Sequence, residues 1–380
     1  MISTKKRDLK VEIMRIIAQY TVIASHIKGS VILANGELSS KVVMVESFCS
    51  ICVLTFFVLS GFFMYNKEGD LLKLWKNAIV NFFKTIGVPF ILAALFCIVF
   101  EDFLDTKASF LDCIRHMDFI HVLKTFFTGI VNLNVNSWPF SCAHLWFIFE
   151  YFFIVLVFPI TYLILKKLDR KIVYAIVGLC AILLLANDYL MYSGNDILET
   201  TLFHYLRKPI FYSMLGSVLY NDFLIKRCKG PAGAIVNKKI FVASLGLYLV
   251  SVFTIFFVQR SYYINKSMYP YFASYESGLA LISTISFICI IYNIRFTSIL
   301  SIRKQKWAYY LASKMFGVYM IHFIFVHKLT TLGLQPILIS KLTNPLYFIL
   351  YYLLYGLAIM ALSLLIIRAF DLIVGKGTKS

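Results

Sequence analysis

Residues 346–368 read LYFILYYLLYGLAIMALSLLIIR, with no charge before Arg368. About 20 apolar residues in a helix span the hydrocarbon core of a bilayer, so this stretch by itself points to a membrane. The rest of the chain agrees. Of 380 residues, 60% are hydrophobic and only 15% charged, and the mean hydropathy is +0.80. A water-soluble domain is closer to half apolar and a quarter charged, and could not hide this many Leu, Ile and Phe side chains. Disorder, collagen, a coiled coil and a small disulfide scaffold are excluded by the same figures.

Nine further segments have comparable length and apolarity: 11–33, 45–66, 78–100, 143–165, 172–190, 204–225, 240–259, 277–294 and 307–327. The expected fold is an all-α polytopic membrane protein of about ten transmembrane helices, one integral-membrane domain over 1–380. Lys5-Lys6-Arg7 precedes the first segment, but that segment is too long and carries Glu12 and Arg15, so it is not read as a cleavable signal peptide. Pro89, Pro159 and Pro209 fall within or at the ends of segments, where each is expected to kink a helix. No repeat relates the two halves, which argues against a secondary-transporter architecture.

Lys plus Arg number 37 against 19 Asp plus Glu. In a soluble protein this excess would suggest nucleic acid, but no basic stretch here forms a soluble reading module, so no nucleic-acid partner is expected. Placing both termini in the cytoplasm puts 23 Lys and Arg in the two tails and alternate loops, against 9 on the other side. That is the asymmetry that sets membrane topology. The long external loop 101–141 alternates Asp112, Arg115, Asp118 and Lys124 with apolar residues, predicting a short amphipathic helix. Most of the eight Cys lie in apolar runs and act there as small apolar residues. Cys113 and Cys142 could share an external loop and be bridged, and spacing does not decide whether they pair. Cys49 and Cys52 lack the βαβ context of a redox site.

Ionisable side chains inside a span are costly and by default mark function. At 100° per residue from Arg15, His26 lies at about 20°, Gln19 at about 40° and Glu12 at about 60°, one polar stripe on an apolar helix. Arg15 and His26 are about three turns, or ~16 Å, apart along that axis. Snorkelling to headgroups, aided by Glu12 at i,i+3, would explain Arg15 but not Gln19 and His26 on the same stripe. The stripe is read as facing one internal space.

Arg15, ten residues, then His26 resembles the first-helix signature of the membrane-bound acyltransferase-3 family. Three further stretches are similar to family motifs and fall in the family's order. They are Phe56-Phe57-Val58-Leu59-Ser60-Gly61-Phe62, His144-Leu145-Trp146-Phe147, and Gly317-Val318-Tyr319-Met320-Ile321-His322. Many members carry an Arg pair after the second helix, where this chain has Lys73 and Lys76, then Lys84. Some members add an extracellular hydrolase-like domain, which is not expected here.

The resemblance implies a cell-membrane enzyme that moves an acyl group, expected to be acetyl, from cytoplasmic acyl-CoA to a hydroxyl of a bacterial envelope glycan or glycolipid. His26 is the expected general base or acyl carrier, since an imidazole takes up protons near neutral pH and can attack an acyl carbon. Arg15 is expected to bind donor phosphate or polarise the thioester.

Supporting candidates are Glu12, Gln19, Ser60, Lys84, His144, Trp146, Glu150, Arg207, Lys314, Tyr319 and His322. Glu150 could pair with Lys84, Arg207 or Lys314, or accept a proton from His26. Arg207 could hold an anionic acceptor sugar or sit among headgroups. Ser60 reads as a packing or hydrogen-bonding residue ahead of a nucleophile, and Gly61 as a point of close helix approach. His144 and His322 read equally as catalytic or as buried hydrogen-bonding residues. His116, His121 and His327 look peripheral. No element carries ligand spacing for a metal, and no phosphate loop or serine elbow is present, so no bound cofactor or metal is expected. Two other classes compete: a transporter or flippase of lipid-linked glycans, and a sensory or scaffolding protein whose polar stripe only packs helices.

Overall fold

The structure, a computed structural model, describes residues 8–27, 40–106, 109–120, 123–124, 128, 140–227, 235–266, 271–331 and 344–375. His121 and Cys228 lie outside the described residues. The main helices are α1 (Leu9–Ile27), α2 (Ser40–Cys49), α3 (Cys52–Met64), α4 (Leu71–Phe82), α5 (Val88–Thr106), α6 (Phe110–His116), α7 (Trp146–Leu156), α8 (Phe158–Lys167), α9 (Arg170–Ser193), α10 (Lys208–Val218), α11 (Lys238–Lys266), α12 (Gly278–Tyr292), α13 (Ile302–Thr331) and α14 (Pro345–Gly375). Among the described residues the only extended pairing is a single antiparallel bridge between Ile235 and Ile294.

Among the described residues, six helices are long and apolar enough to cross a bilayer: 40–64, 71–106, 170–193, 238–262, 302–328 and 346–372. A seventh crossing follows if α7 and α8 form one span, bent by 55°. The bend has a cause: Pro159 stands in the first turn of α8 and lacks the N–H that would continue α7. A π-helical turn, Phe83–Gly87, likewise precedes Pro89 between α4 and α5. Three expected spans fall short of the criterion while still being helical. α1 carries Lys10, Glu12 and Arg15 within 19 residues. α10 ends at a π turn that holds Asn221 and Asp222. α12 has only 15 residues.

Helix ends are set by local chemistry. Asp70 caps α4 by accepting from the Lys73 amide at 2.8 Å, and Asp169 caps α9 through the Lys171 amide at 2.7 Å. Gly194 closes α9 in the left-handed conformation, φ 88°. α12 begins at Ser277, whose hydroxyl accepts from Leu279 N–H and donates to Asp188, reaching across from α9 at 2.9 Å.

α1 is the centre of the molecule. It packs against α3, α13 and α14, and Met14, Ala18, Val22, Ile23, Ala24 and Ile27 are buried in the contacts. Peripheral helices bury a narrow face and expose Leu92, Ile182, Val250 and Leu365. An apolar surface of this extent calls for lipid, so the chain is a multi-pass membrane protein. α3 and α10 approach more closely than side chains would allow, at Gly61 and Gly216, as expected for Gly61. The loop after α5 contains the seven-residue α6, capped by Ser109. No disulfide joins Cys113 to Cys142.

Candidate active site

Helix α1 turns its polar stripe toward two cavities. The first, about 660 Å³, is lined by Arg15, Gln19, Ser60, Lys67, Asn81, Thr85 and Tyr151 among apolar residues. The second, about 450 Å³, is lined by Ser25, His26, His144, Trp146, Glu150, Arg207, Ser274 and Tyr275. Val22, Val53 and Tyr319 line both. Arg15 and His26 therefore look into two chambers that share a wall, where the sequence suggested a single space.

Around His26 the structure gathers two histidines from distant parts of the chain. The ring centroid of His26 lies 5.4 Å from that of His322 and 6.3 Å from that of His144, and the latter two are 4.9 Å apart. Phe323 closes one side, 5.0 Å from both His26 and His144. His144 and Tyr319 hold each other: the His144 Nε2 is 2.9 Å from the Tyr319 carbonyl, and the Tyr319 hydroxyl donates to the His144 carbonyl. His322 Nδ1 also meets the Tyr319 carbonyl, at 2.8 Å. One residue of α13 thus orients both imidazoles. An N–H on each of those nitrogens would satisfy the shared acceptor and leave the buried His144 Nδ1 and His322 Nε2, which have no hydrogen-bond partner, as acceptors. Among the described residues, no group of three or more His, Cys, Asp or Glu is arranged to hold a metal ion.

Of the three partners the sequence offered for Glu150, Arg207 is the one it meets, through Nη1 to Oε1. Arg207 also lies over the Phe153 ring at 4.3 Å. Lys314 pairs with Asp371 of α14, and Lys84 is exposed on the π turn and lines neither cavity. The carboxylate beside Arg207 offsets the charge that an anionic sugar would need. Trp146 stacks on Tyr275 with centroids 4.5 Å apart, forming an aromatic wall of the second cavity. Tyr275 and Ser274 were not singled out from the sequence, although the run Tyr271-Phe272-Ala273-Ser274-Tyr275 is unusually aromatic for a loop between spans.

At the other end, Glu12 is buried and meets Arg15 at 3.4 Å, i to i+3 along α1. Ser60 lines the first cavity, and its hydroxyl donates to the Phe57 carbonyl at 2.6 Å. That bond occupies its proton within its own helix, as a packing role requires. Gln19 is fully buried, and neither Oε1 nor Nε2 has a hydrogen-bond partner. A buried amide left in this way costs on the order of 1–3 kcal/mol, which marks the position as one not chosen for stability. Of the histidines expected to be peripheral, His116 bonds its own helix and His327 sits 3.8 Å from Glu101.

No curated protein and no solved structure matches the chain. A family model described as an acyltransferase domain does, over residues 8–368, a stretch that takes in α1 with its stripe, the histidine cluster and all of α13. A family model that covers nearly the whole chain fits the earlier motif resemblance, and the protein belongs to acyltransferase family 3.

Proposed function

We propose that the protein is an O-acyltransferase of the cell membrane that takes an acyl group, acetyl, from cytoplasmic acyl-CoA and esterifies a hydroxyl of an extracytoplasmic envelope glycan or glycolipid. In this reading the chain crosses ten times with both termini in the cytoplasm, which puts the Arg15 cavity on the donor side and the His26 cavity on the acceptor side. The observation that carries it is the pair of cavities meeting at Val22, Val53 and Tyr319, with a guanidinium on one and the His26 and His144 imidazoles on the other, His322 packed against both.

The chemistry follows from the residues. Arg15 binds the phosphates of the donor. His26 takes the proton of the acceptor hydroxyl as its oxygen attacks the acyl carbon; the carbon–sulfur bond breaks, and the departing thiolate receives that proton. Attack by His26 itself, with the acyl group passed on in a second step, uses the same geometry. Trp146 and Tyr275 offer an apolar wall to a sugar ring, and Ser274 and Arg207 offer polar contacts. The test is mass spectrometry of surface glycans from cells with and without the gene. Loss of acyl esters from one polymer is the expected result, and unchanged acylation of every polymer would overturn the proposal. A flippase would instead move lipid-linked glycan with no consumption of acyl-CoA by the purified protein.

A further inference from the structure

Gln19 stands at a place where a polar side chain needs a reason. It is fully buried, lines the first cavity, and leaves both its amide oxygen and its amide nitrogen without a hydrogen-bond partner. The lining of the same cavity includes the apolar side chains of Val22, Val53, Phe56 and Phe147. Along α1 it lies one turn from Arg15 and two turns from His26, or about 6 Å and about 10 Å of helical rise. The wall shared by the two cavities, at Val22, begins within one further turn.

A primary amide presents a donor and an acceptor side by side. A carbonyl alone would engage the Nε2 and leave Oε1 unsatisfied, and a phosphate would do the same. Two successive secondary amides satisfy both, the N–H of one going to Oε1 and the C=O of the next taking the Nε2 proton, because within a single trans amide the two groups point opposite ways. Resting on the donor reading above, the part of an acyl-CoA that lies between its phosphates and its sulfur is the pantetheine arm, which is built around two secondary amides. With the anionic end at Arg15 and the thioester at His26, that arm passes Gln19.

We infer that Gln19 is a donor-recognition residue that pairs with the two amides of the pantetheine arm, the N–H of one and the C=O of the other, and so selects a pantetheine thioester over other acyl donors. Gln19 touches the arm and takes no part in proton or acyl transfer.

The test is equilibrium binding by calorimetry on the purified full chain in detergent, with two probes: coenzyme A, and adenosine 3′,5′-bisphosphate, which lacks the arm. Gln19→Leu should weaken coenzyme A by roughly tenfold, the loss expected for a pair of neutral hydrogen bonds, and leave the bisphosphate unchanged. Gln19→Glu, which keeps the acceptor but not the donor, should fall on the same side. Equal weakening of both probes by Gln19→Leu would make its role structural, and unchanged binding of both would remove Gln19 from the site; either result overturns the inference. If the wild-type chain binds neither probe, the donor reading itself fails and this inference with it. Thermal unfolding of each variant, expected within a few degrees of wild type, separates lost recognition from lost fold.

Discussion

Gly61 of α3 and Gly216 of α10 press each helix against the backbone of the other. A Cβ on Gly61 would lie 1.8 Å from the Ser213 carbonyl oxygen, and one on Gly216 would lie 2.0 Å from that of Val58. Neither acceptor is a flexible side chain that could step aside. Small residues permit this approach in a membrane, where helix association depends on packing rather than on expulsion of water.

Gly61→Ala and Gly216→Ala should each therefore reduce the yield of monodisperse protein, and Gly61→Leu should abolish it. Gly178→Ala is the control, because nothing lies within 4 Å of a Cβ there. Size-exclusion profiles and thermal unfolding in detergent check the set. Normal behaviour of Gly61→Leu would refute the close approach.

Arg15→Lys keeps the charge but loses the planar fork that grips a phosphate or carbonyl bidentately. Acyl transfer should fall sharply at near-normal expression, measured as thiol release from acetyl-CoA. Full activity would make Arg15 an anchor to headgroups and nothing more.

His26→Gln retains much of the side-chain volume and one hydrogen-bonding group, so folding should survive. Loss of a general base lowers rates by about 10²–10⁴-fold, and acyl transfer should drop by at least the lower figure. Transfer at the wild-type rate would remove His26 from the chemistry.

Tyr319→Phe deletes the hydroxyl that donates to the His144 carbonyl and leaves the Tyr319 carbonyl in place for His144 and His322. The cost should be about 0.5–1.5 kcal/mol of stability, the worth of one neutral hydrogen bond. The turnover number should fall while the apparent affinity for donor holds, because the variant loosens the imidazoles and leaves Arg15 and its bond to Glu12 in place. Chemical denaturation and initial rates are the measurements. An equal fall in both kinetic parameters would argue against a positioning role.

Glu150 and Arg207 should show coupling in a double-mutant cycle. Either Glu150→Gln or Arg207→Gln alone leaves a partly buried charge without its partner. The double variant removes both charges and should recover about 0.5–3 kcal/mol relative to the sum of the singles. Strict additivity in thermal unfolding would mean the pair contributes nothing to the fold.

How much was legible beforehand follows from where each relationship lives. The membrane class was plain from segments such as 346–368, because apolar length is a property of consecutive residues. The stripe of Arg15, Gln19 and His26 was equally local, since the helical period sets the angles between residues of one helix. All three duly line the cavities beside α1. The acyltransferase motifs, read in order along the chain, pointed to the family that the match over 8–368 shows.

Tertiary structure decided what spans more than one helix. His144 and Tyr319 are 175 residues apart, and no period links them; they meet because α1, the turn before α7 and α13 pack together. The choice of Arg207 over Lys84 or Lys314 for Glu150 was undetermined for the same reason, as each was a cation within a span. The division of one internal space into two cavities at Val22, Val53 and Tyr319 depends on side chains from three helices at once. Sequence sets what a helix offers on each face, through the geometry of its own backbone. Which faces meet is settled by how the helices fit, and close approaches such as Gly61 on Ser213 are where that fit is most constrained.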